Sequence, residues 1–302
     1  MANPILNDIQ QKIKSGNPIT RLIIINVIVF LIVSIVRIIT FLSGENAGLL
    51  SLESILQENL AFPLSFAEFV YKPWTIISYM FTHAGLMHIF WNMISLFWFA
   101  QILSEYTSAK KISPLYILGG ITGALLTALI IMLVPAFHPL IGAPLIGASA
   151  GVTAIIVAAA TLVPEVRMNL MFVGPVKLLY VAMFVIFIDV LNLASHDNIG
   201  GNLAHLGGGL MGYLFIVQYK KGMDMANPMN RFFEWLGNLF KGGSKSKMKV
   251  VHKKKLTDEE YNHNKVIQQK QVDAILDKIS KSGYGSLSKT EKDILFKASN
   301  KK

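Results

Sequence analysis

Residues 201–219 read GNLAHLGGGLMGYLFIVQY, a run free of Asp, Glu, Lys and Arg. At about 1.5 Å per residue it is long enough to cross a hydrocarbon core of about 30 Å. One imidazole, His205, sits about four residues, or roughly 6 Å, inside the start of the run. Gly208 and Gly212 follow it as a GxxxG face that lets a second helix approach backbone to backbone. An ionisable group inside a membrane helix is costly and marks a functional position by default, a proton relay or ligand contact being the rival to catalysis.

Working outward, 53% hydrophobic residues and a mean hydropathy of +0.49 are too apolar for an ordinary soluble protein. Further apolar runs at about 20–43, 85–106, 114–134, 148–164 and 176–193 bring the expected membrane helices to six. The N-terminal stretch MANPILNDIQQKIKSGNP precedes a hydrophobic segment too long for a signal-peptide core and without a small-residue cleavage site, so that segment is expected to stay as an anchor. The absence of cysteine excludes disulfides and thiolate catalysis. The formal charge of +10 suggests nucleic acid until it is located: residues 241–302 hold 16 lysines against seven acidic residues, so nine of the ten net charges lie in the tail. The charge is not a nucleic-acid footprint on the core.

Topology follows from the cations. Lys12, Lys14 and Arg21 precede the first helix, Lys110 and Lys111 separate the second and third, Arg167 and Lys177 the fourth and fifth, and Lys220 and Lys221 follow the sixth. With six spans all four clusters face one side, the cytoplasm, as do both termini. The opposite loops agree, since residues 135–147 carry no formal charge and residues 194–200 only Asp197. The multi-pass chain is expected in a bacterial plasma membrane. The long connection from Ser43 to Thr82 is too polar to span and is expected to lie partly in the outer interface, anchored by Tyr71 and Trp74.

The division is residues 1–18 as a cytoplasmic segment, 19–222 as the six-helix core, 223–255 as a basic linker and 256–302 as a cytoplasmic helical hairpin. In the hairpin, Val272, Ile275, Leu276 and Ile279 share one face, and Ser288 with Glu291 forms a capping box before Ile294 and Leu295. Its lysines read first as a solvated surface, with contact to anionic lipid as the alternative.

Chemistry-bearing groups inside the spans are few. The second helix opens HAGLMHIFWN, giving His83, then His88 and Asn92 four apart on one face. The fourth begins GASAGVT, with Ser149 bracketed by Gly147 and Gly151. Under six spans the second, fourth and sixth helices all enter from the outer side, so His88, Asn92, Ser149 and His205 lie at one shallow depth. Packing alone does not call for two imidazoles there. A serine hydroxyl needs an adjacent base, which His205 supplies. His88, Asn92 and the Ser149 backbone N–H are the available donors for an oxyanion. His83, at the helix mouth, reads as structural support that fixes the first loop by hydrogen bonds. Asp189 is placed mid-helix, deeper than the layer, so the expected unit is a dyad without an acidic member. Arg37 is expected to snorkel to an interface.

In these motifs the chain resembles the rhomboid proteases, a family with a six-helix core, a histidine–asparagine motif on the second helix, a GxSG serine on the fourth and an AHxxGxxxG histidine on the sixth. Here the matching residues are His83, His88 and Asn92; Gly147 and Ser149; and Ala204, His205, Gly208 and Gly212, over about residues 19–222. The resemblance implies cleavage of transmembrane proteins within or beside the bilayer, with water and without metal or other cofactor. Ala150 replaces the glycine after the serine, Thr153 the tyrosine that commonly stacks on the base, and Thr75 the arginine after the loop tryptophan. None of these removes a reacting group.

Rival classes separate by residue. No HExxH supports a metalloprotease, one membrane aspartate does not make an aspartyl protease, and no pair of broken helices suggests a transporter. The remaining alternative is a catalytically weak pseudoprotease that binds membrane clients. A mobile cap over the site, entered laterally past the fifth helix, is expected at Asn198–Gly201 with neighbouring His196.

Overall fold

The computed structural model describes residues 16–43, 56, 58–170, 173–195, 198–240, 271–288, 290–292 and 294–295. Most of the polar N-terminal segment, His196, Asp197 and the lysine-rich spacer after 240 lie outside them.

The long helices are α1 (Pro18–Ser43), α2 (Leu86–Tyr106), α3 (Ile112–Leu133), α4 (Ser149–Leu162), α5 (Leu178–Ser195) and α6 (Ile199–Lys220). All six expected helices are present within a few residues of their expected bounds. Asn17 and Pro18 show why α1 starts where it does: the Asn17 side chain accepts the amides of Ile19 and Thr20, and proline needs no partner in the first turn. Among the described residues, four stretches are long and apolar enough to cross a membrane: Pro18–Leu42, Leu86–Tyr106, Ala109–Leu133 and Leu178–Ser195. Ile28, Leu31, Ile35 and Phe41 of α1 and Tyr180, Met183, Phe184 and Phe187 of α5 face outward, about half exposed or more. Helices apolar on their outer faces need lipid around them, and the protein is a membrane protein.

α4 is different. At 14 residues it is about 21 Å long, and every residue from Ala150 to Ala160 is buried except Val157, which is half-buried. α3 and α6 enclose it through small residues. A Cβ at Gly208 or Gly212 would run into the carbonyls of Ala150 or Ala154, and one at Gly119 into Ala154. Gly208 and Gly212 thus do what the GxxxG pattern predicts. Gly151 does not face α6, however: a Cβ there would meet the Tyr116 carbonyl and ring of α3. The reason is angular, because residues 150 and 154 occupy the stripe facing α6 and residue 151 is turned by about 100° from it.

The basic residues of three connections, Lys110 and Lys111, Arg167 and Lys177, and Lys220 and Lys221, gather at one end of the bundle, while Lys12 and Lys14 lie outside the described residues. Lys111 pairs with Asp224 and lies 4.9 Å from the Tyr219 ring centre, Lys220 donates to the Thr161 carbonyl at 2.8 Å, and Asn26 of α1 donates to Tyr116 of α3 at 3.4 Å. A β-hairpin, Arg167–Leu170 with Gly174–Lys177, joins α4 to α5 at that end. At the other end the first loop folds over the bundle. Phe62–Pro63 pairs antiparallel with Pro144–Leu145, a link that hydropathy does not foretell.

Residues 223–255 contain more than a linker. Ala226–Phe240 is a helix, α7, with polar Asn227, Asn230, Arg231, Glu234 and Asn238 on one face and Phe232, Phe233 and Leu236 on the other. The chain divides after Gly242 into two compact units. In the second, residues 271–282 are helical; Ile275 and Leu287 are buried, Val272 and Ile279 half-buried, but Leu276 turns outward. The capping box is present: Ser288 N–H donates to Glu291 Oε2 at 2.6 Å and Glu291 N–H to Ser288 Oγ at 3.3 Å.

Candidate active site

A cavity of about 720 Å³ opens at the loop end of the bundle, lined by Ser149, His205, His88 and Asn92 together with the first loop and the start of α6. The four groups expected in one layer therefore share one space. Its walls are mostly apolar, as a site that excludes bulk water requires.

Ser149 is held by what precedes it. Leu64 N–H donates to Ala143 at 3.0 Å, Gly142 N–H to Leu64 at 3.3 Å, and Gly147 N–H to Tyr79 at 2.9 Å. Tyr79 is in turn fixed by donating to Gly120 at 2.6 Å, and Tyr116 donates to Met80 at 2.8 Å. Gly147 has φ of +123°, which glycine alone adopts without strain. A Cβ there would also meet His88 at 2.9 Å and stand 3.5 Å from Ser149 Oγ. Gly147 is the gap between serine and His88, and Ser149 is the first residue of α4, where backbone N–H groups are unpaired and favour negative charge.

His88 has a defined tautomer. The Ala84 N–H donates to its Nδ1 at 3.4 Å, so its proton resides on Nε2, the nitrogen nearest Gly147. Asn92, 7% exposed, donates through Nδ2 to the His88 carbonyl at 2.8 Å. His83 lies behind, 1% exposed, its ring edge-on to His88 with centroids 5.1 Å apart. It meets the site through this ring contact, and neither buried nitrogen finds a hydrogen-bond partner of normal geometry among the described residues. Burial, then the proximity of His88, lowers the His83 pKa to about 4, so the ring is neutral. Arg37 does not snorkel away: it donates to the Ala84 carbonyl at 2.9 Å, bracing the residue whose own N–H orients His88. Trp74 donates to Asn59 at 2.8 Å and buried Thr75 to Lys72 at 2.6 Å, so these positions tie the first loop to itself.

His205 has an acidic neighbour, which the expected dyad lacks. Its Nδ1 lies 2.7 Å from Oδ1 of Asp189 on α5, and this is its hydrogen bond among the described residues. Asp189 is not deeper than the layer. It stands six residues before the end of α5 and His205 six after the start of α6, which places both near 9 Å from that end of the bundle. Counting from the C-terminal end of α5, instead of its beginning, identifies Asp189 from sequence alone.

The flexible cap at Asn198–Gly201 is also corrected. Ile199, Gly200 and Gly201 form the first turn of α6, Asn198 precedes it in a left-handed conformation (φ 48°), and Asn202 N–H donates back to Asn198 at 3.0 Å. Among the described residues no three His, Cys, Asp or Glu side chains cluster as metal ligands.

A model of the rhomboid domain matches residues 71–221, half of the chain, and one of a family of unknown function (DUF6576) matches residues 256–301. Over 158 residues the chain is 29% identical to RHOMBOID-like protein 12, mitochondrial, of Arabidopsis thaliana, covering 49% of this chain and 47% of that protein. The chain thus spans about half the length of the curated relative it matches. The rhomboid-domain match takes in α2 to α6 and every residue lining the cavity except Leu64, and the chain belongs to the rhomboid family.

Proposed function

We propose that the protein is an intramembrane serine endopeptidase that cleaves transmembrane protein substrates, with Ser149 as nucleophile and His205 as general base. The observation that carries this reading is the single cavity in which Ser149, His205, His88 and Asn92 meet. In the first half-reaction Ser149 Oγ bonds to the scissile carbonyl carbon as its proton passes to His205 Nε2. His88 Nε2–H, the Asn92 amide and the Ser149 N–H are the donors for the resulting oxyanion. The imidazolium then gives its proton to the leaving amine as the C–N bond breaks. Water, deprotonated by His205, attacks the acyl-enzyme and releases the carboxylate, returning the proton to Ser149.

In this reading the six helices are six spans, both termini and the basic tail are cytoplasmic, and the cavity opens toward the outer face of a bacterial plasma membrane. The gathering of three cationic clusters at the far end favours that orientation. The shortness of α4 favours a nucleophile below the surface, because about 21 Å falls some 9 Å short of the hydrocarbon core.

A client-binding protein without turnover is the second reading, favoured by one feature: His205 is hydrogen-bonded to Asp189 and not to Ser149. Such bonds are often long before substrate binds. Reconstitution in liposomes with transmembrane reporters decides between the two. The protease reading expects cleavage by the wild type and a loss of at least about 10³-fold in Ser149→Ala. Wild type that binds reporters without cutting them supports the second reading.

A further inference from the structure

α5 runs LLYVAMFVIFIDVLNLAS and carries one charged residue. Only Leu178, Ala182 and Asp189 are buried on it, and Asp189 is the one that packing cannot explain: its side chain is 7% exposed, and Oδ2 has no partner among the described residues. A carboxylate so placed is costly. Its contact is the imidazole of His205, Nδ1 to Oδ1 at 2.7 Å.

We propose that Asp189 is a positioning residue of the active site, completing a serine–histidine–aspartate set contributed by α4, α6 and α5. The inference rests on the protease reading. An ionised carboxylate only accepts hydrogen bonds, so the proton on His205 must reside on Nδ1 and the lone pair on Nε2, the form a general base requires. When Nε2 takes the Ser149 proton, the positive charge of the ring develops against a negative carboxylate already in place. Asp189 accepts no proton in the cycle; it holds one tautomer and stabilises the imidazolium. His88 shares the cavity with His205, and His83 lies behind it against His88, so among the side chains placed at the site Asp189 is the anionic one. It also ties α5, otherwise largely lipid-facing, to the catalytic histidine.

The test uses the full chain in proteoliposomes and two replacements chosen to oppose each other. Asp189→Asn keeps size and polarity, but its amide donates to Nδ1 and drives the proton to Nε2, whereas Asp189→Leu removes the bond without enforcing a tautomer. The expected result is a fall of about 10²–10⁴-fold in turnover for Asp189→Asn, mostly in kcat, with a thermal midpoint close to wild type. Asp189→Leu is expected to be no less active than Asp189→Asn. A merely structural carboxylate predicts the reverse ranking, and Asp189→Asn within about threefold of wild type overturns the proposal. Nitrogen-15 histidine spectra, with the His205 signal assigned through His205→Gln, supply a readout independent of turnover. They are expected to show the Nδ1–H tautomer in wild type and its loss in Asp189→Asn, and an unchanged tautomer contradicts the assignment. Wild type with that tautomer but no Ser149-dependent cleavage defeats the protease reading while leaving the Asp189–His205 placement in force.

Discussion

α4 and α5 are consecutive helices that treat α6 in opposite ways. α4 meets it through Gly208 and Gly212, backbone against backbone, and is buried along nearly its whole length. α5 meets it with long side chains, buries three residues and turns Met183, Phe184, Phe187 and Leu191 outward. The proposed nucleophile therefore stands on a fixed helix, and the residue proposed to orient the base stands on a peripheral one. Positioning within about half an ångström comes from rigid supports, while a substrate segment needs a side from which to arrive. In this molecule the side next to α5 is the less tightly packed.

Breaking the fixed side has the largest expected effect on the fold. Gly208→Val places a side chain against the Ala150 carbonyl and is expected to destabilise the protein by about 2–3 kcal/mol or more, read as a lowered unfolding midpoint, with activity lost as α4 is displaced. A midpoint within a degree of wild type would show that α4 and α6 are not joined as described. Next in size is His88→Ala, which leaves the packing of α4 intact and removes one oxyanion donor. It is expected to lower kcat by about 10²-fold with KM little changed. The smallest effect is expected on the other side, where Met183→Ala on the outward face of α5 should change stability by less than about 0.5 kcal/mol. A larger loss would mean that this face is covered by protein.

Much of this arrangement is legible in the sequence because the bilayer simplifies the reading. Charge-free runs of fixed length place the helices, and the lysines at alternate loops place their ends, so depth can be counted residue by residue. Ser149, His88, Asn92 and His205 follow from that count. Asp189 follows from it as well, but only when α5 is counted from its C-terminal end, since it runs in the direction opposite to α4 and α6. What escapes the count depends on pairing across long separations: the strand contact between Phe62–Pro63 and Pro144–Leu145, and the bond from Gly147 to Tyr79. Two-residue strands leave no period to recognise. Arg37 misleads for a related reason, since a cation near a helix end usually reaches water and this one reaches the Ala84 carbonyl. α7 was readable, its Phe232, Phe233 and Leu236 at helical spacing within a stretch that composition assigns to a linker.

The most direct test of the account is the site of covalent modification in the reconstituted protein. A fluorophosphonate transfers its phosphonyl group only to a hydroxyl activated by a neighbouring base, with loss of fluoride. Mass spectrometry of the digested wild type is expected to find one adduct, on the peptide containing Ser149, absent from Ser149→Ala and strongly reduced in His205→Ala. An adduct on another residue, or an unmodified Ser149 in protein that cleaves its reporter, would contradict the assignment of Ser149 and His205 as the reacting pair.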